Sequence, residues 1–232
     1  MTLLDLIRHP HVYFEALKRL PPAPWRMAWI PVLAGLIGGV GSVLLSRSIL
    51  DTQLLSTSAA LGIQLPGSVV YVLTVIFSAV ASFVTWLILW GMGGLGAGRD
   101  ARSGEVYAAS FLAPLLWALA LLALALLTPP QVNVAAPRLG GLTGAALKAA
   151  ISTYTSAVLT QYGASPLVRF SNVMTYAIYV VQFWLAYIGL RGMTDDRARA
   201  WKGVLYPGLL FLALGAAALL IADAAASVGG LI

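Results

Sequence analysis

Few side chains in this sequence are of the types that perform chemistry. The chain has no cysteine, which excludes disulfides, thiolate metal ligands and cysteine nucleophiles. Its histidines, His9 and His11, stand two residues apart and would diverge on a helix, so they form no metal-binding pair. Neither an H-E-x-x-H zinc motif, a P-loop nor a nucleophile elbow occurs. We therefore expect a protein that is not an enzyme, with no catalytic residue, no metal and no cofactor.

Two polar residues interrupt long apolar stretches and are candidate sites inside a membrane. The amide of Gln182 needs a hydrogen-bond partner there, and Ser78, Ser82 or Thr85 of another apolar stretch offers one. Gln182 therefore indicates either a contact between helices or a group in a polar cavity. Asp223 lies near the end of the last apolar stretch, where we expect a hydrated interface rather than a buried site.

Two glycine patterns stand out. Residues 91–96 match G-x-G-x-x-G, but a dinucleotide site needs a preceding strand and a following helix. Here an apolar helix precedes the motif, so we expect a flexible turn near the bilayer surface. Gly35 and Gly39 fit G-x-x-x-G, and Gly38 with Ser42 repeats that spacing. Small residues let helix backbones approach closely, which predicts packing within the monomer or in a dimer.

Composition shows which elements must position these residues. Apolar residues make up 60% of the 232-residue chain and charged residues 9%, whereas soluble domains carry about 25% charged residues. A soluble fold and a disordered chain are both excluded. Runs of about 20 apolar residues cross a bilayer as helices. We predict an all-α integral membrane protein with an N-terminal segment, 1–26, and a membrane domain, 27–232. Its five transmembrane helices are expected at about 27–47, 68–90, 106–128, 170–190 and 203–222.

Amphipathic interfacial helices are expected at the N-terminus and in the outer loop between spans three and four. Near the N-terminus, Pro10 starts a helix whose apolar stripe is Tyr13, Phe14, Leu17 and Leu20. In the outer loop, Leu147, Ile151, Tyr154, Val158 and Tyr162 follow helical spacing. A loose loop rich in Ala and Ser is the alternative there. Kinks or irregular first turns are expected at three prolines: Pro31, Pro114 and Pro207.

The net charge of +6 indicates topology rather than nucleic-acid binding, since basic residues favour the cytoplasmic side. Ten of the 14 Lys and Arg residues fall on one side of the predicted topology: Arg8, Lys18, Arg19, Arg26, Arg99, Arg102, Arg191, Arg197, Arg199 and Lys202. The other side holds Arg47, Arg138, Lys148 and Arg169. We therefore place the N-terminus in the cytoplasm and the C-terminus outside a plasma (inner) membrane.

A basic patch joins the two loops on the expected cytoplasmic side. It consists of Arg99, Arg102, Arg191, Arg197, Arg199 and Lys202. Each such residue near an anionic bilayer surface contributes about 1 kcal/mol to lipid binding. Acidic residues interrupt the patch and are available to pair with it: Asp100, Glu105, Asp195 and Asp196.

Three short motifs resemble those of the Yip-domain family, polytopic membrane proteins named for partnership with Ypt/Rab GTPases. The first is His9-Pro10 followed by Tyr13, Phe14 and Leu17. The second is Gly93-Gly94 followed by Glu105, Tyr107 and Pro114. The third is Gly189-Leu190-Arg191 followed by Ala200 and Lys202. The resemblance implies five spans, a cytoplasmic N-terminus, and a role in membrane organisation or trafficking carried out through partners.

The resemblance has a limit. The long N-terminal region of the eukaryotic members, with its Asp-Leu-Tyr-Gly-Pro motif, is missing from this sequence, so a GTPase partner is not expected. Richness in Ala, Leu and Gly without cysteine is typical of a bacterial member. The expected partners are membrane lipids and other membrane proteins or a second copy of the chain. The sequence thus favours a scaffold that binds through its cytoplasmic face. The alternative is a small transporter, permease subunit or channel with a polar cavity near Gln182.

Overall fold

The protein is described from a computed structural model, which covers residues 3–61, 66–137 and 140–229. Side chains at 59–61 and 218–229 lie outside the described set, and with them the predicted interfacial residue Asp223. The described residues form helices and connecting segments. In chain order these are α1 (Leu3–Arg8), α2 (Pro10–Lys18), α3 (Trp29–Leu61), α4 (Gly67–Ala97), a 3₁₀ turn (Arg99–Ala101), α5 (Ser103–Ser110), α6 (Leu112–Leu127), α7 (Gly144–Ala164), α8 (Pro166–Thr194) and α9 (Arg197–Gly229).

The all-helical prediction is confirmed, as are five helices long and apolar enough to cross a membrane. Those five segments are Trp29–Ser58, Gly67–Ala97, Ser103–Leu127, Pro166–Thr194 and Arg197–Ala217. The helix of the first span, α3, continues past the predicted end at residue 47 to Leu61. The reason is local, because residues 43–61 contain neither glycine nor proline to end it.

The prolines behave according to their place in each helix. Pro31 is the third residue of α3 and Pro114 the third of α6, positions where the missing N–H removes no helical hydrogen bond. Between α5 and α6 only Phe111 lies outside the helices, and the first-turn irregularity expected at Pro114 therefore occurs there. Pro207, in contrast, lies inside the continuous helix α9.

The chain forms two compact units. The first unit comprises Met1–Ala28, Val84–Ser110 and Phe183–Ile232, and the second comprises Trp29–Phe83 and Phe111–Gln182. The N-terminal segment is therefore part of a unit that also contains the two basic loops. That association is long-range in sequence and cannot be read from the composition of any one segment.

Both predicted amphipathic helices form, and their apolar stripes contact protein. Pro10 begins α2, and Tyr13, Phe14 and Leu17 are buried within the first unit. The ring of Phe14 comes within 2.8 Å of where a Cβ on Gly189 would lie, so α2 packs closely on α8. Leu20, the last residue of the predicted stripe, is instead exposed.

In the second unit, small residues bring helices together. A Cβ on Gly35 would lie 2.7 Å from the Cα of Ala79, and one on Gly39 would lie 2.9 Å from the Cα of Val75. The predicted G-x-x-x-G pair thus lets α3 contact the backbone of α4. On α7, Ile151 and Val158 are buried, and the hydroxyls of Tyr162 and Ser46 lie 3.2 Å apart. The helix predicted in the loop therefore packs on α3.

Candidate functional site

Glu105, in the first turn of α5, is the centre of a buried polar cluster in the first unit. Its side chain is 1% exposed and forms an ion pair with Arg102, whose Nε donates to Oε2. The backbone N–H of Ala23 donates to Oε1 at 3.0 Å, and Nη1 of Arg26 lies 3.4 Å from the same oxygen. A buried carboxylate requires such compensation. Glu105 therefore fixes the linker between α2 and α3 to the start of α5.

Arg102 completes this attachment. Its backbone is left-handed, with φ 49° and ψ 37°, which non-glycine residues seldom adopt. From there Nη1 donates to the carbonyl oxygens of Leu17 at 2.7 Å and Leu20 at 3.0 Å. These carbonyls lie at the carboxyl end of α2, where a cation also interacts favourably with the helix dipole. Arg102 and Glu105 together thus have a structural role.

Three tryptophans form a second cluster beside the first. Trp25 lies edge-on to Trp86 and Trp90, with ring centroids 5.3 and 5.5 Å apart, and Trp86 stacks on Trp90 at 5.4 Å. Trp86 is fully buried, and its indole N–H donates to the carbonyl oxygen of Gly104 at 2.9 Å. Ser103 Oγ donates to the Trp90 carbonyl at 2.9 Å. The end of α4 is thereby held to the start of α5.

The glycine motif at residues 91–96 does not form the flexible turn that we expected. It lies within α4, and two of its glycines are contact points. A Cβ on Gly96 would come within 2.7 Å of the backbone nitrogen of Gly203, so α4 and α9 touch through their backbones. The Tyr107 ring covers Gly93, and the Tyr107 hydroxyl donates to the Gly203 carbonyl at 2.7 Å. Close packing at Gly93 and Gly96, which leaves no room for a side chain, explains the motif better than a turn does.

Surface ion pairs connect the two basic loops to the rest of the first unit. Lys18 of α2 pairs with Asp195, whose backbone is also left-handed at φ 53°. Arg199 pairs with Asp100 and donates from Nε to the carbonyl of Ala97 at 2.8 Å, at the end of α4. The Arg199 guanidinium holds the pKa of Asp100 below its usual value.

Tyr13 is the buried titratable group of the N-terminal helices. Its hydroxyl donates to the sulfur of Met27 at 3.1 Å. Burial, with a smaller contribution from the Glu105 charge, raises the pKa of Tyr13 to about 12. The phenol therefore stays neutral across the physiological range and serves packing.

Six further cations of the first unit are exposed. Within the part of the chain that the structure describes, no acidic side chain pairs with six exposed residues: Arg8, Arg19, Arg99, Arg191, Arg197 and Lys202. The predicted basic patch therefore divides in two. Arg102 and Arg199 are bound to carbonyls and carboxylates, while Arg99, Arg191, Arg197 and Lys202 are available to an anionic partner.

A cavity of about 350 Å³ lies beside the cluster around Glu105. Its walls come from the proline-rich linker, the last turns of α4 and the start of α5. The lining residues are Pro22, Pro24, Trp90, Gly91, Gly94, Leu95, Arg99, Arg102, Ser103, Gly104 and Glu105. Of the four patch cations that have no acidic partner among the described residues, Arg99 is the one that lines it.

Three predicted site residues are elsewhere. Pro114 belongs to the second unit, whereas the basic patch with which the sequence grouped it belongs to the first. Gln182 is buried at 3% exposure, and its Nε2 has no hydrogen-bond partner in the described structure. Ser82, one of its proposed partners, donates instead to the carbonyl of Pro31 at 2.6 Å. The side chain of Asp223 is outside the described set.

Sequence reasoning missed the cavity and the attachment of the linker to α5. Arg26 and Ala23 contact Glu105, and Pro22 lines the cavity. All three lie in the proline-rich linker, which sequence reasoning did not treat as part of a site. One available signal was the spacing of Trp86 and Trp90, which places both rings on one face of a helix.

Comparisons of the chain with protein-family models, with curated proteins and with solved structures find no match.

Proposed function

We propose that the protein is a membrane-organising scaffold of the kind that the Yip-domain resemblance implies, acting without catalysis. It binds anionic partners, whether lipids or other membrane proteins, through the basic surface of its first unit. The membrane is a bacterial plasma membrane, and the basic surface faces the cytoplasm. The spans and the all-helical fold support a multi-pass membrane protein of this type.

One observation carries this proposal. The first unit satisfies Lys18, Arg26, Arg102 and Arg199 internally, yet leaves Arg99, Arg191, Arg197 and Lys202 exposed and without acidic partners among the described residues. Orientation in a membrane depends on the number of Lys and Arg residues and does not require that these residues lack acidic partners. Unpaired charge on a surface otherwise rich in ion pairs supports attraction of an anionic ligand.

The test compares the wild-type full chain with two double variants. Arg191→Gln with Arg197→Gln removes unpaired cations from the first unit, and Arg47→Gln with Lys148→Gln removes the same charge from the second. The proteins are extracted in mild detergent, and co-purifying proteins and lipids are quantified by mass spectrometry. We expect the first pair alone to reduce recovery of anionic lipid or of a specific protein partner. Equal recovery from all three proteins would refute the proposal.

The orientation is tested separately by cysteine labelling. The native chain has no cysteine, so only an introduced cysteine can react. Arg197→Cys lies at the start of α9 and is exposed, and Gln131→Cys is exposed in the segment before α7. A maleimide that cannot cross the bilayer, applied to intact cells, should label the second and not the first. The reverse pattern would place the basic surface outside and remove the cytoplasmic partner.

One observation favours a second function, transport. The unpartnered Nε2 of buried Gln182 is the kind of group that a polar solute would satisfy. If Gln182 is only an uncompensated amide, Gln182→Met relieves about 1–3 kcal/mol of desolvation cost and raises the melting temperature. If it contacts a solute, the same substitution abolishes flux in proteoliposomes. Unchanged flux together with a more stable protein would exclude the transport function.

A further inference from the structure

We infer that the cavity bounded by Trp90, Leu95 and Arg99 is a binding site for the phosphate headgroup of an anionic phospholipid. The inference rests on the proposed function and specifies its ligand. The ligand that we infer is a phosphate diester attached to an apolar body. It occupies one defined pocket, and this differs from a diffuse attraction of lipid to the whole basic surface.

The position of the cavity suits a headgroup. It lies at the carboxyl end of α4, a helix long and apolar enough to cross a bilayer. The end of such a helix coincides with the headgroup region, and tryptophans concentrate at that depth. Trp90 lines the cavity, and Trp25, packed against it, is 58% exposed. A ligand seated here therefore has its polar part at the interface.

The charges of the cavity favour an anion. Two cations and one carboxylate line it, and Arg102 and Glu105 neutralise each other as a buried pair. Arg99 remains exposed with no acidic partner among the described residues, so the cavity carries one uncompensated positive charge. A guanidinium is suited to phosphate because its donors match the phosphate oxygens in pairs.

The rest of the lining is apolar and suits the glycerol and the first carbons of an acyl chain. Pro22, Pro24 and Trp90 form the walls, and Leu95 is 74% exposed beside the opening. A volume of about 350 Å³ is at the small end of the range for ligand pockets, about 300–1,000 Å³. The cavity thus holds a headgroup, while the acyl chains remain in the bilayer.

The structure supplies variants that alter the pocket by two independent means. Arg99→Gln removes the charge. Gly91→Leu fills the space, because nothing lies within 4 Å of a Cβ at Gly91 and the helix accepts leucine there. Arg8→Gln is the matched control, since Arg8 is an exposed cation of the first unit without an acidic partner among described residues, it is not one of the four cations of the proposed binding surface, and it does not line the cavity.

The full-length protein in neutral maltoside detergent is titrated with short-chain phosphatidylglycerol or with phosphatidylcholine of the same acyl length. Binding is followed by tryptophan fluorescence and by native mass spectrometry. We expect Arg99→Gln to weaken phosphatidylglycerol binding about five-fold or more, the equivalent of about 1 kcal/mol for one cation. We expect Gly91→Leu to weaken it about as much, because the leucine occupies the cavity. Arg8→Gln should stay within about two-fold of wild type, because a cation outside the cavity does not contact the bound headgroup.

Several results would overturn the inference. Equal losses from Arg99→Gln and Arg8→Gln would show diffuse attraction, which removes the pocket but leaves the proposed function standing. Full binding by Gly91→Leu would show that the cavity is not occupied. Competition by soluble glycerol phosphate at equal concentration would assign the site to a free phosphate. No preference for phosphatidylglycerol, with no loss of protein partners from the Arg191 and Arg197 double variant, would defeat the proposed function as well.

Discussion

Glu105→Gln is the substitution that best tests whether the buried cluster holds the N-terminal segment in place. Glutamine keeps the shape of the side chain and can still accept the N–H of Ala23, but it removes the charge that compensates Arg102. The side chains of Glu105 and Arg102 are 1% and 10% exposed, so solvent cannot replace the lost interaction. Removing one partner of a buried pair costs about 3–5 kcal/mol.

The lower end of that range is expected here. Arg102 retains two carbonyl acceptors, on Leu17 and Leu20, and the second cation, Arg26, is 32% exposed and can reach water. We therefore expect a loss of about 3 kcal/mol in the free energy of unfolding. For a chain of this length, about 1 kcal/mol corresponds to about 2–4 °C, so the melting temperature should fall by about 6–12 °C.

Thermal unfolding in detergent, followed by tryptophan fluorescence, measures this fall. The control is Asp195→Asn, because asparagine tolerates the left-handed backbone and the lost pair with Lys18 is exposed, at 43% and 78%. That substitution should cost about 0–1 kcal/mol. A double-mutant cycle with Arg102→Gln should show the two costs to be strongly non-additive. Equal shifts from Glu105→Gln and the control, or additive costs in the cycle, would refute the reasoning.

Three further substitutions test the packing of the first unit. Gly96→Ala forces a Cβ into the backbone of α9 and should destabilise the protein by about 1–3 kcal/mol, whereas Gly91→Ala meets nothing and should be neutral or stabilising. Equal melting temperatures would contradict the close approach. Trp86→Phe removes the indole N–H that donates to the carbonyl of Gly104 and should cost about 0.5–1.5 kcal/mol in the same assay; no change would show that the indole bond is dispensable. Since folding raises the pKa of Tyr13 from 10.0 to about 12, its stabilising contribution is complete below pH 10 and is lost as pH rises to 12. Wild-type melting temperature should fall more steeply than that of Tyr13→Phe over this window, and parallel curves would exclude the effect.

The fold was largely predictable from the sequence because its elements are set by local composition. Apolar runs of sufficient length give the five spans, and helical spacing in residues 147–162 gave α7 inside a loop rich in small residues. The boundaries were less predictable. The helix α4 runs through a glycine-rich segment to Ala97, since contact with α9 stabilises a helix that glycine propensity disfavours.

The candidate site was predictable only in part. The basic patch and the acidic residues within it were found, but the sequence does not tell which cations are paired. Arg102 and Arg199 differ from Arg99 by what surrounds them, and those surroundings come from segments far apart in the chain. Pro114 was grouped with the patch although it belongs to the second unit. Pairing and cavities depend on tertiary contacts, which no local pattern specifies.

Positive charge at the ends of membrane helices has three physical causes, and each makes a different demand on geometry. Orientation of the protein in the membrane depends only on how many cations lie on each side. Capping of a helix end requires contact with its last carbonyl groups. A site for an anionic ligand requires an uncompensated positive charge beside a cavity. Arg102 and Arg199 meet the second demand, since they contact carbonyls at the ends of α2 and α4. Arg197 is exposed and does not line the cavity. Arg99 has no carboxylate partner among the described residues and lines the cavity, and neither orientation nor capping accounts for that combination.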